Sequence, residues 1–119
     1  MPKRLSDNDL RSCNVDPGRP LDSLADAQLR KIVKKCIELG CYVERKHLGE
    51  QRAKRGIDFN QTMQCLKLGQ LIRIEPGLNG SKVLRIEWRD QLEGVTIGVI
   101  AALEVSRGPS IIITNYVDP

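Results

Sequence analysis

Apolar residues recur at helical spacing over the first half of the chain and alternate with polar residues over much of the second half. Between residues 22 and 39 they stand three and four positions apart, which predicts an amphipathic helix that ends at Gly40. A second helix is predicted for 47–55, with Gly56 at its left-handed end, and a third for 59–68.

The second half predicts a β-meander. Alternating or continuous apolar runs at 71–75, 83–88, 95–103 and 111–117 are separated by segments with turn residues. Helices followed by hairpin-connected strands are typical of the α+β class. The predicted fold is therefore three N-terminal helices packed on a four-stranded antiparallel meander sheet.

Alternation also assigns side chains to the two faces of this sheet. Ile72 is predicted on the opposite face from Arg73, and Thr114 shares a face with Tyr116. The sequence leaves open whether Thr114 and Tyr116 lie on the same side as Arg85.

The first twenty residues differ in composition from the rest. Residues 1–20 mix charged residues, Asn, Pro and Gly with few apolar residues, so we expect an irregular N-terminal arm. The remaining 21–119 is long enough for a single α+β domain with one core. The chain starts without a secretory signal and has no apolar run of membrane-spanning length, so we expect a cytoplasmic protein with no membrane partner.

The four cysteines form no Cys-x-x-Cys pair, and buried free thiols are therefore expected. A metal shared by Cys36, Cys41 and His47 is an alternative, but no metal or other cofactor is predicted.

The chain is modestly basic, with a net charge of +4 and a pI near 9.0. Between residues 30 and 55, lysine and arginine outnumber acidic residues nine to three, which favours a polyanionic partner such as RNA.

The basic stretch 45–57 contains the only histidine of the chain. On a helix from His47, Gln51 and Arg55 would share its face and Arg52 would flank them. One imidazole among guanidinium groups is suited to chemistry on a phosphodiester, because it can exchange a proton near neutral pH while the cations hold the anion. The alternative is a solvated basic helix with a surface histidine.

Over residues 44–117 the chain resembles the DUF4258 family of small bacterial proteins. The matching residues are His47, Arg55-Gly56-Ile57, Leu68-Gly69, Arg85 and Ile113-Thr114-Asn115-Tyr116. This family looks related to the RelE-like toxin ribonucleases, and the segment after Gly56 is also similar to the MqsR toxins. The resemblance implies a metal-independent endoribonuclease of toxin–antitoxin type, which cleaves RNA by attack of its 2′-hydroxyl and is neutralised by a cognate antitoxin protein.

For such a ribonuclease, the expected catalytic residues are His47 as base or acid, Arg55 and Arg85 as phosphate clamps, and Tyr116 as a second acid. The expected substrate-binding residues are Lys46, Arg52, Arg73 and Thr114.

One position departs from the family pattern, because Gln51 stands where an arginine is expected one turn after the histidine. This departure favours the alternative function, a non-catalytic RNA- or protein-binding regulatory module on the same scaffold.

Overall fold

The computed structural model describes residues 3–104 and 109–117 and has an α+β fold, the class that the sequence predicts. The helices in these ranges are α1 (Asp7–Ser12), α2 (Asp26–Leu39), α3 (Leu48–Lys54) and α4 (Phe59–Leu68), and the strands are β1 (Tyr42–Glu44), β2 (Gln70–Pro76), β3 (Lys82–Asp90), β4 (Val95–Glu104) and β5 (Ser110–Val117). None of these helices has both the length and the apolar character that crossing a membrane requires.

Helix α4 has the predicted bounds because both of its ends are marked in the sequence. The Asp58 side chain accepts from the Gln61 backbone N–H at 2.7 Å, and the Gln61 side chain accepts from the Asp58 N–H at 3.0 Å. These reciprocal bonds form a capping box. Helix α2 begins later than predicted, because Leu21–Ser23 forms a separate 3-10 turn before it.

The N-terminal segment contains a helix, which corrects the prediction of an irregular arm for residues 1–20. Ser6 and Asp9 form a capping box at the start of α1, with backbone-to-side-chain bonds of 2.9 and 3.2 Å. Leu10 and Val15 are buried in the same core cluster as the rest of the chain. These apolar residues are few, but they attach the segment to the core.

The sheet has five strands in the order β1-β5-β4-β3-β2. Strands β2 to β5 form the predicted antiparallel meander, whereas β1 pairs in parallel with β5, Tyr42 opposite Ile111. The prediction of a four-stranded, wholly antiparallel sheet is therefore wrong. Three residues are too few to show an alternating pattern, and β1 gains its pairing only when the distant β5 folds beside it.

Helices α2 and α4 cover one face of the sheet, and the core lies between them. Ile32 of α2 and Leu66 of α4 are fully buried, together with Ile86 of β3 and Val99 of β4. The other side of the sheet, which we call the open face, carries most of the charged side chains of the strands, including Arg73 and Arg85.

A buried arginine joins α2 to the end of α4. The Arg30 guanidinium donates to the Leu66 carbonyl at 2.6 Å and to the Gly69 carbonyl at 3.0 and 3.3 Å. Carbonyls at the end of a helix lack partners within the helix. Arg30 therefore replaces water at a C-terminus that the fold has buried.

Two β-bulges change the faces that alternation predicts. In β2 the register against β3 shifts between Leu71 and Arg73, so that Ile72 is an extra residue. Leu71 and Ile74 pack against the core as a result, and Ile72 is 48% exposed.

The second bulge lies at the end of β5, where the register against β4 shifts between Ile100 and Ala101. Ile113 and Tyr116 are consequently both fully buried on the core side, although three positions separate them. Thr114 remains on the open face and bonds to the Ile100 carbonyl at 3.1 Å. The prediction that Thr114 and Tyr116 share a face is therefore wrong.

Candidate nucleic-acid interface

Helix α3 and the β5 bulge border an open cleft of about 570 Å³. Its lining residues, which we call the basic cleft, are Arg45, His47, Leu48, Glu50, Gln51, Lys54, Thr114 and Asn115. Arg45 and Lys54 bring positive charge, and His47 brings the imidazole. Glu50 lies 3.8 Å from the Lys54 ammonium, but both side chains are 76% exposed, so their pairing is weak.

The local backbone explains how His47 reaches this cleft. His47 occupies the residue before α3, with helical φ and ψ, and its side chain makes no capping bond. Its ring is therefore exposed at the start of the helix, next to Arg45 and Lys46, which are also exposed. At the other end, Gly56 has φ +70, the left-handed conformation that the sequence predicts for it.

An amide pair connects α3 to the β5 bulge. The Gln51 side chain donates from Nε2 to Asn115 Oδ1 at 2.8 Å, and the same oxygen accepts from the Tyr116 backbone N–H at 2.9 Å. Gln51 thus holds one wall of the basic cleft against the other.

Tyr116 belongs to a polar network on the core side of β5. Its hydroxyl lies 3.0 Å from Glu44 Oε2, to which it donates, and the Arg52 guanidinium donates to the same oxygen at 2.9 Å. Burial raises the pKa of Tyr116, the Thr62 hydroxyl at 3.5 Å lowers it, and the adjacent Glu44 carboxylate raises it. Tyr116 therefore keeps its proton at neutral pH and uses it to bond Glu44.

The same network occupies Arg52, which was expected to bind substrate. Its guanidinium is paired with Glu44, and its carbon Cζ lies 5.6 Å from the centroid of the Phe59 ring. The arginine thus fixes α3 against β1 and α4, and its charge is balanced within the fold.

Arg85 and Arg73 lie on the open face, in a small cleft of about 90 Å³ that they share with Glu75 and two apolar residues. Each arginine is paired with a glutamate of its own strand, Arg85 with Glu87 at 3.0 Å and Arg73 with Glu75 at 2.6 Å. This cleft and the basic cleft have no lining residue in common.

Arg55 lines a third depression, of about 290 Å³, between the end of α3 and the ends of β4 and β5. It follows the last residue of α3, eight positions after His47 or about 12 Å along a helix, and the two side chains line different depressions. Lys46 is exposed next to His47 but does not line the basic cleft.

The structure thus divides the predicted site residues, since His47 and Thr114 line the basic cleft and Arg73 and Arg85 line the small cleft of the open face. Arg55 and Arg85 line other clefts, Tyr116 is buried, and Arg52 and Arg73 are paired within the fold. The roles assigned to them stay predictions, and these residues do not line a single cleft.

Two residues that matter for this region were not singled out from the sequence. Glu44 joins β1, α3 and β5, and nothing in its sequence context marks it. Asn115 interrupts a run of β-branched residues in β5, and a turn-forming residue within such a run is a recognisable bulge signal.

Metal ligands are not grouped within the described ranges, since no three His, Cys, Asp or Glu side chains there could hold an ion. All four cysteines are free and buried, as the sequence predicts. Burial raises the pKa of the Cys36, Cys41 and Cys65 thiols, so these groups are protonated and unreactive at neutral pH.

In comparisons with known proteins, no family model matches the chain, and neither the curated proteins nor the solved structures include a match. A functional conclusion therefore depends on the geometry of the site.

Proposed function

We propose that this protein is a non-catalytic module that binds the phosphate backbone of RNA in its basic cleft. The observation that carries the proposal is the grouping of Arg45, His47 and Lys54 around one open cleft, next to the hydroxyl of Thr114 and the amide of Asn115. Cations and polar hydrogen-bond donors are the groups that contact nucleic-acid backbones.

Charge balance further supports a polyanionic ligand. Within the described residues, neither Arg45 nor Lys46 has a carboxylate at salt-bridge distance, whereas Arg52, Arg73 and Arg85 are each paired with a glutamate. The uncompensated charge next to the only imidazole is therefore concentrated at the start of α3. By neutralising phosphates, such a surface would release the counterions that are condensed on a nucleic-acid backbone.

The ribonuclease implied by the resemblance to the DUF4258 family is supported less well. Cleavage by the 2′-hydroxyl needs a base, an acid and cations around a single phosphate. His47 would have to act with groups that line other clefts or, in the case of Tyr116, with a hydroxyl already bonded to Glu44. A RelE-like topology, a cytoplasmic location and a cognate antitoxin stay predictions. The antiparallel meander of β2–β5 supports the first of these.

Fluorescence anisotropy with labelled single-stranded RNA tests the proposal. Arg45→Gln combined with Lys54→Gln should weaken binding about tenfold at low salt and reduce the dependence of binding on salt, since two phosphate contacts are lost. The matched control is Lys31→Gln with Lys34→Gln on the exposed side of α2, which removes the same charge outside the cleft. Equal losses in the two variants would refute the cleft as the binding site.

Cleavage is scored with the same RNA on a denaturing gel and by inducible expression in bacteria. We expect intact RNA and normal growth. Cleavage and growth arrest that disappear in His47→Ala would overturn the non-catalytic proposal in favour of the ribonuclease.

A further inference from the structure

Strand β2 ends the sheet, and its outer edge faces no other strand of the described chain. The hairpin bond from the Gly77 N–H to the Ser81 carbonyl, 2.9 Å, sets the alternation of hydrogen bonds along the β2–β3 ladder. Hydrogen-bonded pairs recur at every second residue of an antiparallel ladder, so Glu75 and Arg73, like Gly77, direct their backbone groups toward β3. Ile74 lies between them and directs its N–H and C=O outward. Ile74 therefore presents an unsatisfied donor and acceptor at the edge.

The side chains next to Ile74 carry opposite charges on the same face. Arg73 and Glu75 both lie on the open face, with side chains 66% and 50% exposed, and they contact each other at 2.6 Å. An exposed pair of this kind contributes little to the stability of a monomer. Both groups remain available to a partner of complementary charge.

We propose that β2 pairs antiparallel with β2 of a second copy of this chain, about a two-fold axis at Ile74, to form a continuous sheet. In this arrangement the two Ile74 residues exchange backbone hydrogen bonds. Arg73 then lies opposite Glu75 of the other copy at a non-hydrogen-bonded position, where side chains approach most closely. The two-fold axis repeats this ion pair, as an isologous interface requires.

The charge pattern selects one register. Residues on the open face of one copy must oppose residues on the open face of the other. A shift of two residues in either direction would place Arg73 opposite Arg73, or Glu75 opposite Glu75, and like charges directly opposite each other are destabilising. Only the register centred on Ile74 gives two opposite-charge pairs.

The features that flank Ile74 limit the length of the pairing. The bulge at Ile72 disrupts the edge on one side, and Pro76, which has no N–H to donate, does so on the other. The edges therefore pair over a short window, and the interface falls below the size of a stable standard interface. We expect reversible dimers at high micromolar concentrations.

Sedimentation velocity over a concentration series tests the pairing by charge exchange. Arg73→Glu and Glu75→Arg should each weaken dimerisation at least about tenfold, because each variant places like charges opposite each other twice. An equimolar mixture of the two variants should recover dimers, since every pair across a mixed interface is again complementary.

The control is Arg89→Glu, which makes the same charge change at an exposed position of β3 away from the β2 edge and should leave dimerisation unchanged. Far-UV circular dichroism verifies that all three variants are folded. A wild-type protein that remains monomeric throughout the series, or a mixture of variants that does not associate, would overturn the inference. Neither result bears on RNA binding in the basic cleft.

Discussion

The hydroxyl of Tyr116 offers a direct test of whether this residue is structural. Tyr116→Phe removes one oxygen from a fully buried ring and leaves its packing in place. The hydroxyl donates to Glu44 of β1 at 3.0 Å, and Glu44 is in turn paired with Arg52 of α3. The substitution therefore weakens the point where three elements meet, without opening a cavity.

The expected cost follows from the charge and exposure of the acceptor. A hydrogen bond to a charged group contributes about 1.5–3 kcal/mol. Glu44 keeps its bond to Arg52, and its side chain is 21% exposed, so water can replace part of what is lost. We therefore expect a loss near the lower end, about 1.5 kcal/mol, which corresponds to a Tm lower by about 5 °C for a domain of this size.

Urea unfolding followed by the fluorescence of Trp88, the only tryptophan, measures this loss. Tyr42→Phe is the matched control, because within the described residues Tyr42 contributes a ring contact with Phe59 but no hydroxyl hydrogen bond. It should change stability by less than about 0.5 kcal/mol. A double-mutant cycle of Tyr116→Phe with Glu44→Gln should give a coupling energy of about 1 kcal/mol. Equal effects of the two tyrosine variants, or zero coupling, would refute the reasoning.

Four further variants, at three positions, test the buried end of α4, each by urea unfolding. Arg30→Leu should cost about 3 kcal/mol because it leaves the Leu66 and Gly69 carbonyls without a donor, and Arg30→Lys should recover part of this loss. Gly69→Ala should also cost about 3 kcal/mol, because the added Cβ would lie 2.7 Å from Ile86 Cγ2 and would collide with the Cys65 carbonyl. A cost below about 1 kcal/mol would contradict this close packing. Burial raises the pKa of Cys65 to about 12 from 9.0, so the folded state keeps a proton that the unfolded state loses. Stability should therefore fall as pH rises from about 9 toward 12, and the fall should be shallower in Cys65→Ala; identical slopes would contradict the assignment.

Long periodic segments and marked helix ends were predictable from the sequence. Helix α4 has a capping box at Asp58, and the strands of the meander show their alternation over several residues each. The capping box of α1 was also readable, since Ser6 and Asp9 have the required spacing, but the low apolar content of the segment obscured it.

The parts that could not be predicted depend on contacts between distant residues. Strand β1 exists because β5 lies beside it, and the burial of Tyr116 depends on one extra residue in β5. A strict period of two reverses every assignment beyond such an insertion. This reversal affected the prediction of the site more than that of the fold. A site depends on which face of the sheet each side chain lies on, whereas a fold class does not.

The bulge in β5 also decides which chemistry the cleft can support. Without the extra residue, Tyr116 would follow Thr114 onto the open face, the face that carries Arg85. With it, the phenol lies on the core side, bonded to Glu44, and the side chain of Asn115 lines the cleft in its place. An amide donates hydrogen bonds but does not release a proton as an acid at neutral pH. Among the groups that line the cleft, His47 provides the one imidazole, and the one carboxylate, Glu50, is exposed and paired with Lys54. The cleft thus groups cations that are suited to a phosphate, whereas Tyr116, the proposed second acid, lies on the other face of the sheet. This separation is the reason that we propose binding without cleavage.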